Sequence, residues 1–137
     1  MSYGRGLLND YPALELELWN LAMERYPRKI LAMVDTSFEG DVMLTTNIYK
    51  FFRVGELPKS LWRKYATLSG TLVARTARAI AQVDGRRFEV FVESPAYGGG
   101  KVLVGRGLLN KLTLVLAGPR KLTCLAEEAA AASLGSS

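Results

Sequence analysis

The 137-residue chain has no histidine and a single cysteine, Cys124. Without histidine there is no Ser-His-Asp or Cys-His nucleophile system and no imidazole ligand for zinc. No side chain titrates near neutral pH at its unperturbed value either. A lone cysteine closes no internal disulfide, which excludes a stapled secreted scaffold and fits a reducing compartment. No apolar run approaches the roughly 18 residues that a spanning helix needs, and Met1-Ser2-Tyr3-Gly4-Arg5 leads into no signal-peptide core. These absences predict a cytoplasmic protein without a membrane segment, and they favour binding over catalysis. The length fits one domain over residues 1–137, with frayed ends at 1–8 and 135–137.

What the chain does have is basic charge, unevenly spread. The net charge is +5, but residues 42–88 hold nine Lys and Arg against only Glu56 and Asp84, while the remainder is slightly acidic. Clustered cations point to a polyanion, because neutralising phosphates releases counterions. Tyr49, Phe51, Phe52 and Trp62 are interleaved with Lys50, Arg53, Lys59, Arg63 and Lys64. Bases of an unpaired strand stack on aromatic rings while cations follow the phosphates, so the pattern favours single strands over duplexes.

The periodicities predict an α+β fold. It has an antiparallel or mixed sheet of four to five strands, packed by a long basic helix and shorter N- and C-terminal helices. Residues 12–26 read as the first helix from their composition and flanking caps, although Leu14-Glu15-Leu16-Glu17-Leu18 also alternates as a strand would. Two strands at 29–35 and 42–46 read as a hairpin, followed by a β-prone stretch at 48–54. Leu61, Tyr65, Leu68, Leu72, Thr76, Ala79 and Val83 recur at helical spacing and predict the long helix over 58–83, with Asp84-Gly85 as its exit. Strands follow at 86–94, 101–104 and 111–117, and an alanine-rich helix at 122–134. Gly4-Arg5-Gly6-Leu7-Leu8-Asn9 recurs identically as Gly105-Arg106-Gly107-Leu108-Leu109-Asn110, and the two copies read as similar loops.

This order of elements, with Tyr49-Lys50-Phe51-Phe52-Arg53, the segment from Leu57 to Tyr65 and the strand from Arg86 to Val92, resembles the ThermoDBP-type single-stranded DNA-binding proteins of hyperthermophilic archaea. The resemblance implies a mixed fold that is not an OB-fold, binding single strands non-catalytically through an apolar cleft with basic edges. The leucine-zipper tail of that family is missing here.

The resulting expectation is sequence-independent single-stranded DNA or RNA binding by a homo-oligomer, a dimer or tetramer, with no enzymatic activity, cofactor or metal. Tyr49, Phe51, Phe52 and Phe91 would stack on bases. Lys50, Arg53, Arg63, Lys64, Arg87, Lys101, Arg106 and Lys111 would contact phosphates. The alternative is a homo-oligomeric structural or assembly protein, such as a viral or archaeal subunit. A third reading is a small metal-dependent nuclease using carboxylates such as Asp35 with Asp41, or Glu89 with Glu93, though turn and cross-strand roles account for these residues better.

Overall fold

In the computed structural model, which describes residues 5–8 and 11–112, the alternating Leu-Glu run near the N-terminus is a strand. β1 (Arg5–Leu8) and β2 (Tyr11–Trp19) pair antiparallel. Leu14, Leu16 and Leu18 are buried while Glu15 and Glu17 are only half-buried. Burying three leucines on one face at period two outweighs the helix propensity of Leu, Glu and Ala, which corrects the expected first helix.

The expected strands near 29–35, 42–46, 86–94 and 101–104 are present as β3 (Ile30–Val34), β4 (Val42–Met43), β7 (Arg86–Pro95) and β8 (Leu103–Val104). β3 and β4 do not form a hairpin. β8 lies between them, parallel to β3 and antiparallel to β4, and β4 runs parallel to β7. The β-prone stretch at 48–54 is instead helical, as α1 (Thr46–Tyr49) and a 3-10 segment, Lys50–Gly55, which bury Ile48, Tyr49 and Phe52.

The long basic helix does not exist. Its residues form a 3-10 turn, Lys59–Leu61, and then β5 (Arg63–Thr67) and β6 (Gly70–Val83), which pair as an antiparallel hairpin. The helical stripe dissolves: Leu61 and Leu68 are exposed, whereas Ala77, Ala79, Ala81 and Val83 are buried at every second position. Asp84 and Gly85 have positive φ (51° and 78°) and join β6 to β7 as a tight turn, the geometry for which Asp-Gly is suited. The strand order is β1-β2-β3-β8-β4-β7-β6-β5, and a further β2–β6 pairing joins six strands into one circuit. The expected mixed sheet with helices is present in outline, but among the described residues it has eight strands rather than four to five, and the helices are short.

After β8 the chain enters α2 (Arg106–Leu112), which buries Leu108, Leu109 and Leu112, where a break and a strand had been expected. The rest of that expected strand and the helix at 122–134 lie outside the described residues. The repeated hexapeptide therefore contributes to strand β1 in its first copy and to helix α2 in its second, so tertiary context decides its conformation. Among the described residues, no helix is long and apolar enough to cross a membrane.

Candidate active site

β3 carries an apolar run to the edge of the molecule and ends at Asp35-Thr36-Ser37. The Asp35 amide donates to the Val104 carbonyl at 2.9 Å, so the turn begins on a backbone anchored to β8. The Ser37 amide and hydroxyl both donate to Asp35 Oδ1, at 2.9 and 2.5 Å. A short polar residue two positions along thus orients the carboxylate, in the manner of an Asx turn. Asp35 is partly exposed at the end of a rigid strand, which leaves it accessible to a ligand.

The loop after Asp35 is clamped from below. The amides of Gly105, Arg106 and Gly107 donate to the carbonyls of Asp41, Phe38 and Gly40 at 3.0, 2.8 and 3.0 Å. A Cβ on Gly105 would lie 2.4 Å from the carbonyl oxygens of both Gly40 and Phe38, and one on Gly107 would lie 2.4 Å from Asp41 Oδ1. These two glycines permit the close approach of α2 to the loop. Asp41 itself is buried. Its Oδ2 accepts the Phe91 amide at 2.9 Å and the Lys111 ammonium at 2.5 Å.

Above the loop, the β5–β6 hairpin forms a roof. Between roof and loop lies a cleft of about 460 Å³ lined by Ser37, Phe38, Glu39, Met43, Lys64, Tyr65, Ala66, Leu72 and Leu103. Phe38 and Tyr65 face each other across it, ring centres 6.1 Å apart. The hairpin tip exposes Leu68 fully, and Gly70 takes the positive φ (125°) that the turn needs. The site is therefore an apolar groove with one carboxylate-bearing turn beside it.

Behind the groove, Glu93 on β7 is completely buried. Its Oε1 accepts the Tyr65 hydroxyl at 2.5 Å, its Oε2 has no hydrogen-bond partner, and Arg63 Nε stands 3.7 Å from Oε2. Burial pushes this carboxyl from its ordinary value of 4.5 up to about 7, with the Tyr65 hydrogen bond and Arg63 opposing the rise and Asp41 adding to it. The Tyr65 hydroxyl is raised in turn by burial and by its carboxyl partner.

The residues expected to bind nucleic acid do not form one surface, and the aromatic ones are mostly core. Tyr49 and Phe52 are buried. The Tyr49 hydroxyl donates to Glu56 at 2.9 Å, and Glu56 is gripped by Arg75 through two hydrogen bonds of 2.8 and 2.9 Å. Phe51 packs edge-on against Tyr26 and Phe52. Tyr49 and Phe52 are thus closed to a base, and Phe51 is half-buried. Lys50 and Arg53 are exposed on the 3-10 segment, and Lys101 on the Gly98–Gly100 side of the molecule's loop before β8. Arg87 lies over the Trp19 ring at 4.2 Å. Arg106 pairs with Glu39 at 3.2 Å, and Lys64 lines the cleft. Arg63 and Lys111 meet at Phe91, 5.4 and 5.9 Å from its ring centre. Their charges are directed at Glu93 and Asp41. Asp35 and Asp41 are also separated in role: the Asp35 carboxylate is bonded within its own turn, while Asp41 is committed to Lys111. Among the described residues, no group of three or more Asp, Glu, Cys or His is arranged to hold a metal ion.

From the sequence, Asp35 is a turn residue or half of a carboxylate pair with Asp41. The signal was an apolar strand ending in an aspartate followed by two hydroxyl residues, a placement that orients a carboxylate at the end of a buried strand.

No protein-family profile and no curated protein matches the sequence. Among solved structures, the chain is similar to EIAV protease complexed with the inhibitor HBY-793. The TM-score is 0.51 at 16% identity, and the match covers 85% of this chain and 99% of that one. At this identity the likeness is one of fold alone. This finding, with the burial of Tyr49 and Phe52, overturns the expectation of single-stranded nucleic-acid binding.

Proposed function

We propose that this protein is an aspartic peptidase in which Asp35 supplies one of two catalytic carboxylates, the second coming from Asp35 of another copy of the chain. The observation that carries the reading is the placement of Asp35 in a protease-like fold. It sits at the end of β3, oriented by Ser37 and adjoining a groove roofed by a hairpin.

Carboxylate-only hydrolysis needs two aspartates sharing one proton, because two like charges about 3 Å apart do not both ionise. The ionised member takes a proton from water as the water oxygen attacks the peptide carbonyl. The protonated member donates to the carbonyl oxygen. Collapse of the tetrahedral adduct breaks the C–N bond and delivers a proton to the leaving amine. Neither histidine nor cysteine enters these steps. A twofold dimer brings the same residue from both copies to the axis, so one turn per chain is enough. The expected homo-oligomer thus returns as a proposed dimer.

The apolar lining of the groove (Phe38, Met43, Leu72, Leu103) suits extended peptides carrying bulky apolar side chains. The test is incubation of the purified protein with an unfolded protein substrate from acid to neutral pH, with fragments read by mass spectrometry. Wild type should cut and Asp35→Asn should not. Equal cleavage by both, or none by wild type at any pH, would overturn the proposal.

A further inference from the structure

Glu93 is a completely buried carboxyl that the proposed chemistry does not use. We infer that Glu93 is a positioning residue for the cleft, tethering the β5–β6 roof to the loop that carries Asp35 through Tyr65 and Arg63. The inference rests on the peptidase reading for its functional meaning, but its geometry stands by itself.

Arg63 and Tyr65 are two residues apart on β5 and both reach back to Glu93, one at each carboxyl oxygen. On its other side Glu93 meets the loop. A Cβ at Gly40 would lie 2.3 Å from Glu93 Oε2 and 2.6 Å from the Phe38 ring, so glycine leaves the space that the carboxyl occupies. Tyr65 and Phe38 line the cleft, and the Phe38 amide donates to the Asp35 carbonyl at 3.1 Å. Roof, buried carboxyl and Asp35 turn are therefore in continuous contact.

The tether depends on the proton. The charged or titratable groups facing Glu93 are Arg63 and Tyr65 from β5 and Asp41 from the loop, with Lys111 of α2 directed at Asp41 rather than at Glu93. An ionised Glu93 has a buried Oε2 with no hydrogen bond and only the Arg63 guanidinium at 3.7 Å to offset its charge, which is costly. Lifting the roof admits water and relieves that cost. Burial holds the Glu93 carboxyl up at about 7 with the roof down, and hydration on opening would return it towards the ordinary carboxylate range. Closure is thus firmest below 4.5, weakens as pH rises towards 7, and levels off above it. The sign suits chemistry that needs one of its carboxylates protonated.

The test is hydrogen exchange of the β5–β6 amides in the intact protein without substrate, as protection factors corrected for intrinsic exchange. In wild type, protection should fall between pH 4.5 and 7, by at most about tenfold per pH unit, and then level off. Glu93→Gln, a neutral isostere, should show no such fall. Tyr65→Phe removes a donor to the carboxylate and should move the levelling-off to higher pH. A flat wild-type profile, an unchanged fall in Glu93→Gln, or an unmoved plateau in Tyr65→Phe would overturn the tether. Since no substrate is used, a correct exchange pattern without peptide cleavage would sustain the tether while removing the Asp35 chemistry, and cleavage without the pattern would do the reverse.

Discussion

Asp35 and Asp41 close the two ends of one loop, yet their surroundings assign them opposite work. Asp35 is partly exposed, and its carboxylate accepts from the amide and hydroxyl of Ser37 in its own turn. Asp41 is buried and ties three elements together, accepting from Phe91 on β7 and from Lys111 on α2 while its carbonyl receives the Gly105 amide. A carboxylate satisfied locally is free to meet a substrate. One that satisfies distant groups is a brace, and moving it leaves other polar atoms stranded. The difference teaches that a partly exposed carboxylate can be carried on a loop that a neighbouring buried one braces.

The sharpest way to break this comparison is at Asp35. Asp35→Asn should lower peptide cleavage by at least about a thousandfold, within the range attributed to acid–base groups, while leaving the thermal midpoint within about 2 °C of wild type. Adding an excess of the variant to wild type should also depress activity by forming mixed dimers. A large loss of stability would show that Asp35 is a brace as well. Asp41→Ala should do the opposite, costing about 3 kcal/mol in denaturant unfolding. That is the low end for breaking a buried pair, since Lys111 is able to turn to water and the Phe91 amide is left without its acceptor. Asp41→Asn retains an acceptor and should cost less. Gly105→Ala comes next at about 2 kcal/mol, because its Cβ would press on two backbone carbonyls that have no rotamer to yield; urea titration reads both.

Why the sequence revealed some of this and hid the rest has physical reasons. β7 and the apolar run of β3 were legible because their burial alternates or is continuous over a short length. β2 and β6 were not, because Leu, Glu and Ala favour helix locally, and only pairing with strands remote in sequence reverses that preference. Asp84-Gly85 was the one local clue to the β6–β7 hairpin and served equally as a helix exit. The aromatic and basic interleaving at 49–64 was real as composition, but it gives no hint that Tyr49 and Phe52 point inward. Lack of histidine was weighed against catalysis, although paired carboxylates hydrolyse peptides without it. The Asp41–Lys111 pair, 70 residues apart in sequence, has no local signature at all.

The smallest effect is expected at Arg106, which pairs with Glu39 at 3.2 Å on the same loop. Both side chains are more than half exposed, at 53% and 68%. Solvent screening and the entropy of fixing two long chains leave such a pair worth no more than about 0.5 kcal/mol. The Arg106 amide bond to the Phe38 carbonyl survives truncation of the side chain, so Arg106→Ala should change neither the denaturation midpoint nor cleavage measurably. A loss above about 1 kcal/mol would mean that surface charge, rather than glycine contact and the buried Asp41, holds the loop under Asp35. The division of labour between the two aspartates would then have to be drawn elsewhere.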